Sequence, residues 1–216
     1  MSLFNFYCDF ETGGLNSQDS AITEIAVIGT DENFKTLFEY EAKIKPFYNQ
    51  NYLYNQKAMD IHGYTVEHLQ EHGKDIKDVA SDIKAFVKQY GKGIFCAYNV
   101  AFDWSFFLQL CTETKNNPAN FVKHYDSFGG KFPALHDVMD SFRLSKGINR
   151  RTKLIDALSH YNINLKNAHS ALADTRALPQ LEKKIYSQTQ STTKEEFYKR
   201  PFKIEFWVNL LYGRIR

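Results

Sequence analysis

The sequence predicts an α/β fold in which a mixed sheet is flanked by helices. Three strand patterns open the chain, at 3–10, 22–30 and 34–44, and they suggest an antiparallel start. The later chain has mainly helical spacing, with one short apolar strand inserted at 93–97. Strands followed by helices, with one strand among the helices, are typical of a single sheet covered by helices.

Helices are predicted where apolar residues recur at intervals of three or four, at 55–61, 75–89, 100–111, 135–144, 153–161 and 170–186. Gly63 and Gly91 are expected to end the first two, because glycine readily adopts the backbone conformation that stops a helix. Thr65 with Glu67 can open a further short turn. The polar interval 115–133 is predicted to be a long loop or an irregular insertion.

The length and charge of the chain allow one domain with an appended tail. With 216 residues, of which 43% are hydrophobic and 24% charged, the chain can bury a core. We expect a folded domain at 1–186, then a polar linker and a basic, aromatic tail within 187–216. The net charge is only +2, so a polyanion would have to be held locally, by a groove or by metal ions.

The tail at 197–216 differs in character from the rest. It carries five basic residues and one acidic residue, a charge of 5 − 1 = +4, so the preceding 196 residues carry 2 − 4 = −2. Alternation at 202–206 is typical of an edge strand that packs on the domain. Basic residues interleaved with aromatic rings also suit contact with nucleic acid.

Cysteine usage and hydropathy predict a cytoplasmic protein. Cys8, Cys96 and Cys111 form no CxxC pair and are odd in number, which favours free thiols in a reducing compartment. The apolar N-terminus is short and is interrupted by Asn5 and Asp9, so we interpret it as a buried strand and not as a signal peptide. No apolar run reaches the roughly 20 residues that span a bilayer, so no membrane partner is expected.

Four acids and one histidine, in three separated blocks, are the candidate catalytic residues. Asp9 and Glu11 lie two residues apart on the first predicted strand, so both carboxylates project from one face. Asp103 follows the inserted strand, at the start of a helix. His169 precedes Asp174 by five residues, which favours a position on the loop that enters the helix of Asp174. Convergent carboxylates with one proton acceptor suit a two-metal phosphodiester hydrolase.

Each block alone also has an ordinary structural interpretation. Acids spaced like Asp9 and Glu11 are often solvated, although a charge within an apolar strand is costly unless a metal binds it. Asp103 would interact favourably with the dipole of its helix, and Asn99 is well placed to cap that helix. A lone histidine such as His169 is more often structural or exposed.

Taken together, the blocks resemble the motifs of the DEDDh family of 3′ to 5′ exonucleases, which includes the proofreading subunit of bacterial replicative DNA polymerase, RNase T and the TREX nucleases. The Asp-x-Glu-Thr motif matches 9–12, Asn-x-x-x-Asp matches 99–103, and His-x-Ala-x-x-Asp matches 169–174. An Ile-His-Gly element recurs at 61–63. Gly13 and Tyr98 depart from the Thr and His that are common in the family.

The resemblance implies a ribonuclease H-like fold, with a mixed five-stranded sheet flanked by helices. It implies that two Mg²⁺ or Mn²⁺ ions are held by Asp9, Glu11, Asp103 and Asp174. His169 would be the general base, since a neutral imidazole accepts a proton near pH 7. The residues expected to bind the terminal nucleotide are Thr12, Gly13, Leu15, His62, Asn99 and Phe102.

Some of these implications have alternatives that the residues leave open. Core packing is an equal alternative for Leu15 and Phe102. The predicted activity is release of mononucleotides from single-stranded DNA or RNA 3′ ends, with DNA favoured, although recognition of the 2′-hydroxyl depends on pocket contacts that the motifs do not encode. The chain could instead be a proofreading or accessory subunit that docks on a polymerase or another protein through 197–216. A non-catalytic module that binds nucleic-acid ends is a third reading, against which the intact acids and His169 argue.

Overall fold

The computed structural model describes residues 4–46, 52–127, 130–165, 170–189 and 197–198. The strands are β1 (Asn5–Thr12), β2 (Ile22–Thr30), β3 (Thr36–Lys43), β4 (Ile94–Ala97), β5 (His124–Ser127), β6 (Gly130–Pro133) and β7 (Leu135–Asp137). The helices are α1 (Gln56–His62), α2 (Val66–His72), α3 (Ile76–Tyr90), α4 (Val100–Glu113), α5 (Val138–Lys146), α6 (Leu154–His160) and α7 (Ala171–Gln188).

Five strands form one sheet in the order β3-β2-β1-β4-β7, so β1 is central. The first three strands pair antiparallel in sequence order, whereas β1, β4 and β7 pair parallel. This mixed sheet confirms the predicted fold class and the antiparallel start. Because β1, β4 and β7 run in the same direction, their carboxyl ends meet at one edge of the sheet.

Alternation along β1 sends its side chains into two different cores. Phe6 and Cys8 pack on the face covered by α3 and α4. Tyr7 packs on the opposite face, with residues of α5, α6 and α7. Asp9 and Glu11 follow Tyr7 on that second face and are half-buried, although their strand is the central one.

Capping side chains begin several helices. Asn55, Thr65 and Asp75 each accept a hydrogen bond from a backbone N–H in the first turn of α1, α2 and α3. Gly63 ends α1 with a φ of 77°, a left-handed conformation that favours glycine. The short turn predicted after Thr65 is the full helix α2.

Two predicted elements differ in the structure. The interval 115–133, predicted to be a long loop or an irregular insertion, contains the antiparallel hairpin of β5 and β6 and a short 3₁₀ helix at Pro118–Asn120. The helix predicted at 135–144 begins only at Val138, because the preceding residues pair with β4 as the outer strand β7. Pairing of Leu135 with Phe95 is a tertiary contact, and it overrides the helical spacing of the local sequence.

The C-terminal part of the described chain packs on the domain. Helix α7 runs two residues past its predicted end. Phe197 and Tyr198 are buried in the core that α7 covers, and the Tyr198 hydroxyl donates a hydrogen bond to Glu182 Oε2 at 3.0 Å. The strand predicted at 202–206 lies outside the described residues, and the domain boundary after residue 186 stays a prediction.

Two further sequence expectations concern thiols and membranes. The three cysteines are buried and free, as predicted. Within the part of the chain that the structure describes, no helix is long and apolar enough to cross a membrane.

Candidate active site

Three carboxylates meet at the carboxyl end of β1. Asp9 and Glu11 come from β1, and Asp174 comes from the first turn of α7. Each offers one oxygen, and the three oxygens all lie within 4.8 Å of one another. The structure therefore brings Asp174 next to two acids of β1 that lie more than 160 residues before it in sequence.

Asp103 reaches the same place from the opposite face of the sheet. It is buried in the first turn of α4, and its Oδ1 accepts a hydrogen bond from the Phe10 backbone N–H at 3.2 Å. Phe10 lies between Asp9 and Glu11, so this bond joins α4 to β1 between the two acids. Asp103 stands outside the group of three oxygens but is the nearby charge that most perturbs Asp9.

Burial and mutual repulsion raise the pKa values of these acids. Burial, followed by the charge of Asp103, raises the pKa of Asp9 well above its usual range. Burial, followed by the charges of Glu24 and Asp174, raises the pKa of Glu11 to about 7. Burial also raises the pKa of Asp103, against the opposing effect of its bond from Phe10. A cation bound among the acids would relieve this repulsion.

Glu24 is a site residue that the sequence analysis missed. It is buried on β2, directly opposite Glu11. Its Oε2 accepts a hydrogen bond from the Ala171 backbone N–H at 3.1 Å, and its Oε1 accepts one from the Tyr64 hydroxyl at 2.7 Å. Ala171 is the first residue of α7, so Glu24 fixes the start of the helix that carries Asp174. An acid within the apolar pattern of β2 was the available signal.

Asp137 is a second missed residue, at the carboxyl end of β7. Its Oδ2 accepts a hydrogen bond from the Val100 N–H and its Oδ1 one from the Asp140 N–H, both at 3.1 Å, so it caps both α4 and α5. The prediction that Asn99 caps α4 is wrong, because its side chain makes no capping bond. Asn99 Oδ1 instead accepts a hydrogen bond from Arg151 Nη2 at 2.8 Å.

The segment after Glu11 forms a tight turn beside the acids. Thr12 is buried, and its hydroxyl donates to the Gly14 carbonyl at 2.6 Å. A Cβ added at Gly13 would lie 2.3 Å from the Leu53 carbonyl oxygen, so the close approach of the two backbones requires glycine. Leu15 is 88% exposed, so core packing is the wrong interpretation for it.

His62 and Phe102 have clear structural contacts. His62 Nδ1 accepts a hydrogen bond from the Tyr64 N–H at 3.3 Å, and Nε2 lies 3.4 Å from the Thr23 hydroxyl. Burial lowers the pKa of His62, so its neutral form is favoured. Phe102 is half-buried and packs on Phe106, with the ring centroids 5.0 Å apart, as the alternative of core packing predicted.

His169 lies outside the described residues, together with 166–168. The described chain resumes at Ser170, immediately before α7. The hydrogen bond from the Ala171 N–H to Glu24 fixes the first residue of α7, which lies two residues after His169 in sequence.

The donor set fits a hard divalent cation. Asp9, Glu11 and Asp174 form a group with carboxylate oxygens only, and such ligands suit Mg²⁺ or Mn²⁺ better than softer metals. The raised pKa values agree with this, since they reflect burial and the repulsion of neighbouring acids, which a bound cation would offset. Binding of a divalent metal ion is therefore the chemistry that this site supports.

The sheet order and the carboxylates at the end of its central strand agree with the ribonuclease H-like fold and the acidic site that the resemblance implies. A family model described as exonuclease, RNase T, matches residues 6–181. The chain belongs to this exonuclease family, which confirms the resemblance to the DEDDh enzymes. It is 29% identical over 194 residues to Ribonuclease T of Buchnera aphidicola subsp. Baizongia pistaciae (strain Bp), over 83% of this chain and 82% of that protein.

Solved structures of exonuclease I share the fold. The complex of E. coli exonuclease I with a dA16 oligonucleotide matches with a TM-score of 0.73 and 18% identity, over 99% of this chain and 46% of that chain. Exonuclease I of Methylocaldum szegediense matches with a TM-score of 0.69 and 20% identity, over 87% of this chain and 41% of that chain. The chain thus spans less than half the length of the exonuclease I structures.

Proposed function

We propose that the chain is a metal-dependent 3′ to 5′ exonuclease that releases mononucleotides from single-stranded nucleic acid. The observation that carries the proposal is the convergence of Asp9, Glu11 and Asp174 within 4.8 Å in a chain of the exonuclease family. With Asp103 beside Asp9, four acids are available to hold two divalent ions. That arrangement is the one that two-metal hydrolysis of a phosphodiester requires.

In this proposal Asp9, Glu11 and Asp174 hold one Mg²⁺ or Mn²⁺, and Asp9 and Asp103 hold the second. Bound ions supply Lewis-acid stabilisation of the charge that develops on the reacting phosphate. The chain holds the acids in place through two bonds, from Phe10 to Asp103 and from Ala171 to Glu24. His169 is the proposed general base, because a neutral imidazole accepts a proton from the attacking water near pH 7.

The turn after β1 is the proposed site of the terminal nucleotide. The backbone of Thr12 and Gly13 lies next to Glu11 and is held rigidly by its packing on Leu53. The exposed Leu15 projects where an apolar side chain could insert between bases. Phe102, His62 and Asn99 complete the proposed binding set, with His62 in its neutral form.

Single-stranded DNA is the proposed substrate, and RNA is the second candidate. DNA is supported by the exonuclease I structures, which were solved with dA16 and dT13 oligonucleotides. RNA is supported by the relative named Ribonuclease T, whose length this chain nearly matches. The two differ at the 2′-hydroxyl, which contacts in the nucleotide pocket must distinguish.

A time course with 5′-labelled DNA and RNA of equal sequence tests the proposal. We expect stepwise shortening from the 3′ end of single strands in Mg²⁺, no shortening in EDTA, and faster cleavage of DNA than of RNA. The Asp174→Ala variant should keep the fold and lose the activity, because it removes one of the three clustered carboxylates. An unchanged ladder of products from purified Asp174→Ala protein would overturn the assignment.

The accessory-subunit alternative depends on the tail beyond residue 198, which lies outside the described residues. Its support is the local charge of +4 within 197–216, interleaved with aromatic residues. Co-purification of a polymerase with the full chain, but not with a chain that ends at residue 198, would favour it. Release of mononucleotides in Mg²⁺ would exclude the non-catalytic alternative.

A further inference from the structure

The loop between α5 and α6 carries a group of exposed cations. Arg150, Arg151 and Lys153 are exposed, and the interval 147–153 contains no acidic residue. None of the three forms an ion pair with another part of the chain that the structure describes. Their charges are therefore available to an external anion.

Hydrogen bonds hold this loop at the sheet edge that carries the acids. The Tyr98 hydroxyl donates to the Lys153 carbonyl oxygen at 2.9 Å and lies 2.8 Å from the Thr152 hydroxyl. Arg151 Nη2 donates to Asn99 Oδ1 at 2.8 Å. Tyr98 and Asn99 directly follow β4, and Cys96 of β4 pairs with Tyr7 of β1, two residues before Asp9.

Arg151 is thereby attached close to one of the candidate metal ligands. Its partner Asn99 precedes Asp103 by four residues, about one turn or 5–6 Å along α4. Asn99 Oδ1 occupies one of the five N–H donors of the guanidinium, so further donors of the exposed side chain can bind a second oxygen. A planar guanidinium fits the oxygens of a phosphate in this way.

A cation at this position would offset the repulsion between the acids and the phosphates of a bound strand. Crowded carboxylates repel the phosphates of a nucleic-acid strand, and a net charge of +2 over the whole chain gives no general attraction. Metal ions among the acids would neutralise charge around the scissile phosphate only. The neighbouring phosphates need a separate positive group, and the loop supplies one beside the acids.

We propose that Arg151, with Arg150 and Lys153, forms a binding site for the phosphodiester backbone of the strand next to its terminal nucleotide. The inference rests on the proposed exonuclease function and adds the residues that hold the rest of the strand. Because phosphate contacts carry no base information, this site binds any sequence.

Fluorescence anisotropy with labelled ten-nucleotide oligothymidylate in EDTA tests binding without hydrolysis. Arg151→Ala should weaken binding roughly tenfold, the effect of losing one hydrogen bond to a charged group. It should also reduce the slope of log K against log salt by about 0.7, the value for one phosphate contact on a single strand. Arg151→Lys should keep the slope, and oligoadenylate should give the same changes.

Lys88→Ala is the matched control. Lys88 is exposed in the last turn of α3, shortly before β4 begins, so it lies towards the edge of the sheet opposite the acids. Its substitution removes the same charge and should change neither affinity nor slope. An equal loss of affinity in Lys88→Ala and Arg151→Ala would overturn the proposal, because it would show a general charge effect.

Kinetics in Mg²⁺ separate the loop from the site of hydrolysis. Arg151→Ala should raise KM for the ten-nucleotide strand roughly tenfold and change KM little for a dinucleotide, which has no phosphodiester beyond the scissile one. Equal effects on both substrates would contradict the proposal. If the wild-type protein releases no nucleotide but anisotropy still shows the loss in Arg151→Ala, the exonuclease assignment fails and the phosphate site stands.

Discussion

One face of β1 carries two groups of polar side chains, and α7 supplies an acid to each. Towards the amino end of the strand, Glu182 lies against Tyr7. At the carboxyl end, Asp174 meets Asp9 and Glu11. The two groups are thus built from the same strand face and the same helix, but their acids have very different surroundings.

Glu182 is fully buried and is surrounded by hydrogen-bond donors. The hydroxyls of Tyr7 and Tyr198 donate to its Oε2 at 2.7 and 3.0 Å, and His136 Nε2 contacts its Oε1. Asn5 Nδ2 in turn donates to the Tyr198 hydroxyl at 2.8 Å. Both carboxylate oxygens of Glu182 therefore have partners from the chain itself, as stable burial of a polar group requires.

The acids at the carboxyl end of β1 have mainly one another as charged neighbours, which raises the pKa values of Asp9 and Glu11. Such an arrangement destabilises the protein unless something outside the chain supplies positive charge. Burial alone therefore does not identify a functional acid. The partners of the acid do, since hydrogen-bonding groups of the chain surround Glu182, whereas Asp9 is left to a ligand.

Substitution of Asp9 gives the largest expected effect. In Asp9→Asn, the rate of nucleotide release in Mg²⁺ should fall at least a thousandfold, roughly 4 kcal/mol of activation free energy. The melting temperature in EDTA should rise by a few degrees, because a repelling charge is removed at nearly constant volume. Asp78→Asn, an exposed acid on α3, is the control and should change neither value. A lower melting temperature of Asp9→Asn in EDTA would contradict this prediction, because it would show that Asp9 stabilises the fold as Glu182 does.

Substitution of Glu182 should have the opposite pattern. Glu182→Ala removes the acceptor shared by Tyr7 and Tyr198 and should lower the free energy of unfolding by about 3–5 kcal/mol. Turnover of the folded fraction should stay within about twofold, since Glu182 lies eight residues, about 12 Å, along α7 from Asp174. Urea denaturation and initial rates measure the two quantities. The control is Lys183→Ala on the exposed side of α7, which should change the free energy of unfolding by less than about 0.5 kcal/mol. Equal losses of stability in Glu182→Ala and Lys183→Ala would contradict the prediction.

Two kinds of sequence signal identified the candidate acids. Asp9 and Glu11 interrupt a mainly apolar strand, and alternation alone placed them on one face. Asp103 and Asp174 were found because they match motifs of the exonuclease family. Glu24 gave the same signal within β2 but was missed, because it matched no motif. Its role follows only from pairing of β2 with β1, which puts it opposite Glu11.

Contacts between distant segments were beyond the reach of local patterns. Asn99 occupies the expected capping position, yet Asp137 caps α4 from another strand and leaves Asn99 to bind Arg151. Leu135 begins a stretch with helical spacing, yet pairing with β4 draws it into the sheet. In both cases the deciding partner is more than 30 residues away in sequence.

Glu24 accepts hydrogen bonds from the chain, as Glu182 does, and lies opposite Glu11 of the acidic site. Its substitution should therefore lower both stability and metal affinity, each by a moderate amount. In Glu24→Gln, one of the bonds from Ala171 and Tyr64 loses its acceptor, so the free energy of unfolding should fall by about 1–2 kcal/mol. Mn²⁺ affinity, measured by calorimetry, should also fall, because the start of α7 no longer holds Asp174 firmly. Glu41→Gln, an exposed acid on β3, controls for the lost charge. Reduced stability with unchanged Mn²⁺ affinity would make Glu24 purely structural.

The smallest effect concerns the pH dependence of the metal-free protein. The pKa of Glu11 is raised to about 7 in the folded state, above its ordinary value of roughly 4.3 when unfolded. The folded state therefore binds its proton more tightly, and this stabilisation is complete below about pH 4 and is lost as pH rises to 7. The melting temperature in EDTA should fall by a few degrees between pH 5 and pH 8.

Other groups also titrate in this range, since burial raises the pKa of Asp137 to about 7. The informative quantity is therefore the difference between wild type and Glu11→Gln, which should show a shallower fall in EDTA. In Mg²⁺ the wild-type trend should flatten or reverse, because a cation binds deprotonated carboxylates and competes with the proton. The Glu182→Ala variant should keep the wild-type difference between EDTA and Mg²⁺, because Glu182 contacts groups of the chain and lies outside the group of clustered acids. The same dependence of melting temperature on pH for Glu11→Gln and wild type in EDTA would contradict this prediction. It would show that repulsion among the acids does not distinguish the carboxyl end of β1 from its amino end.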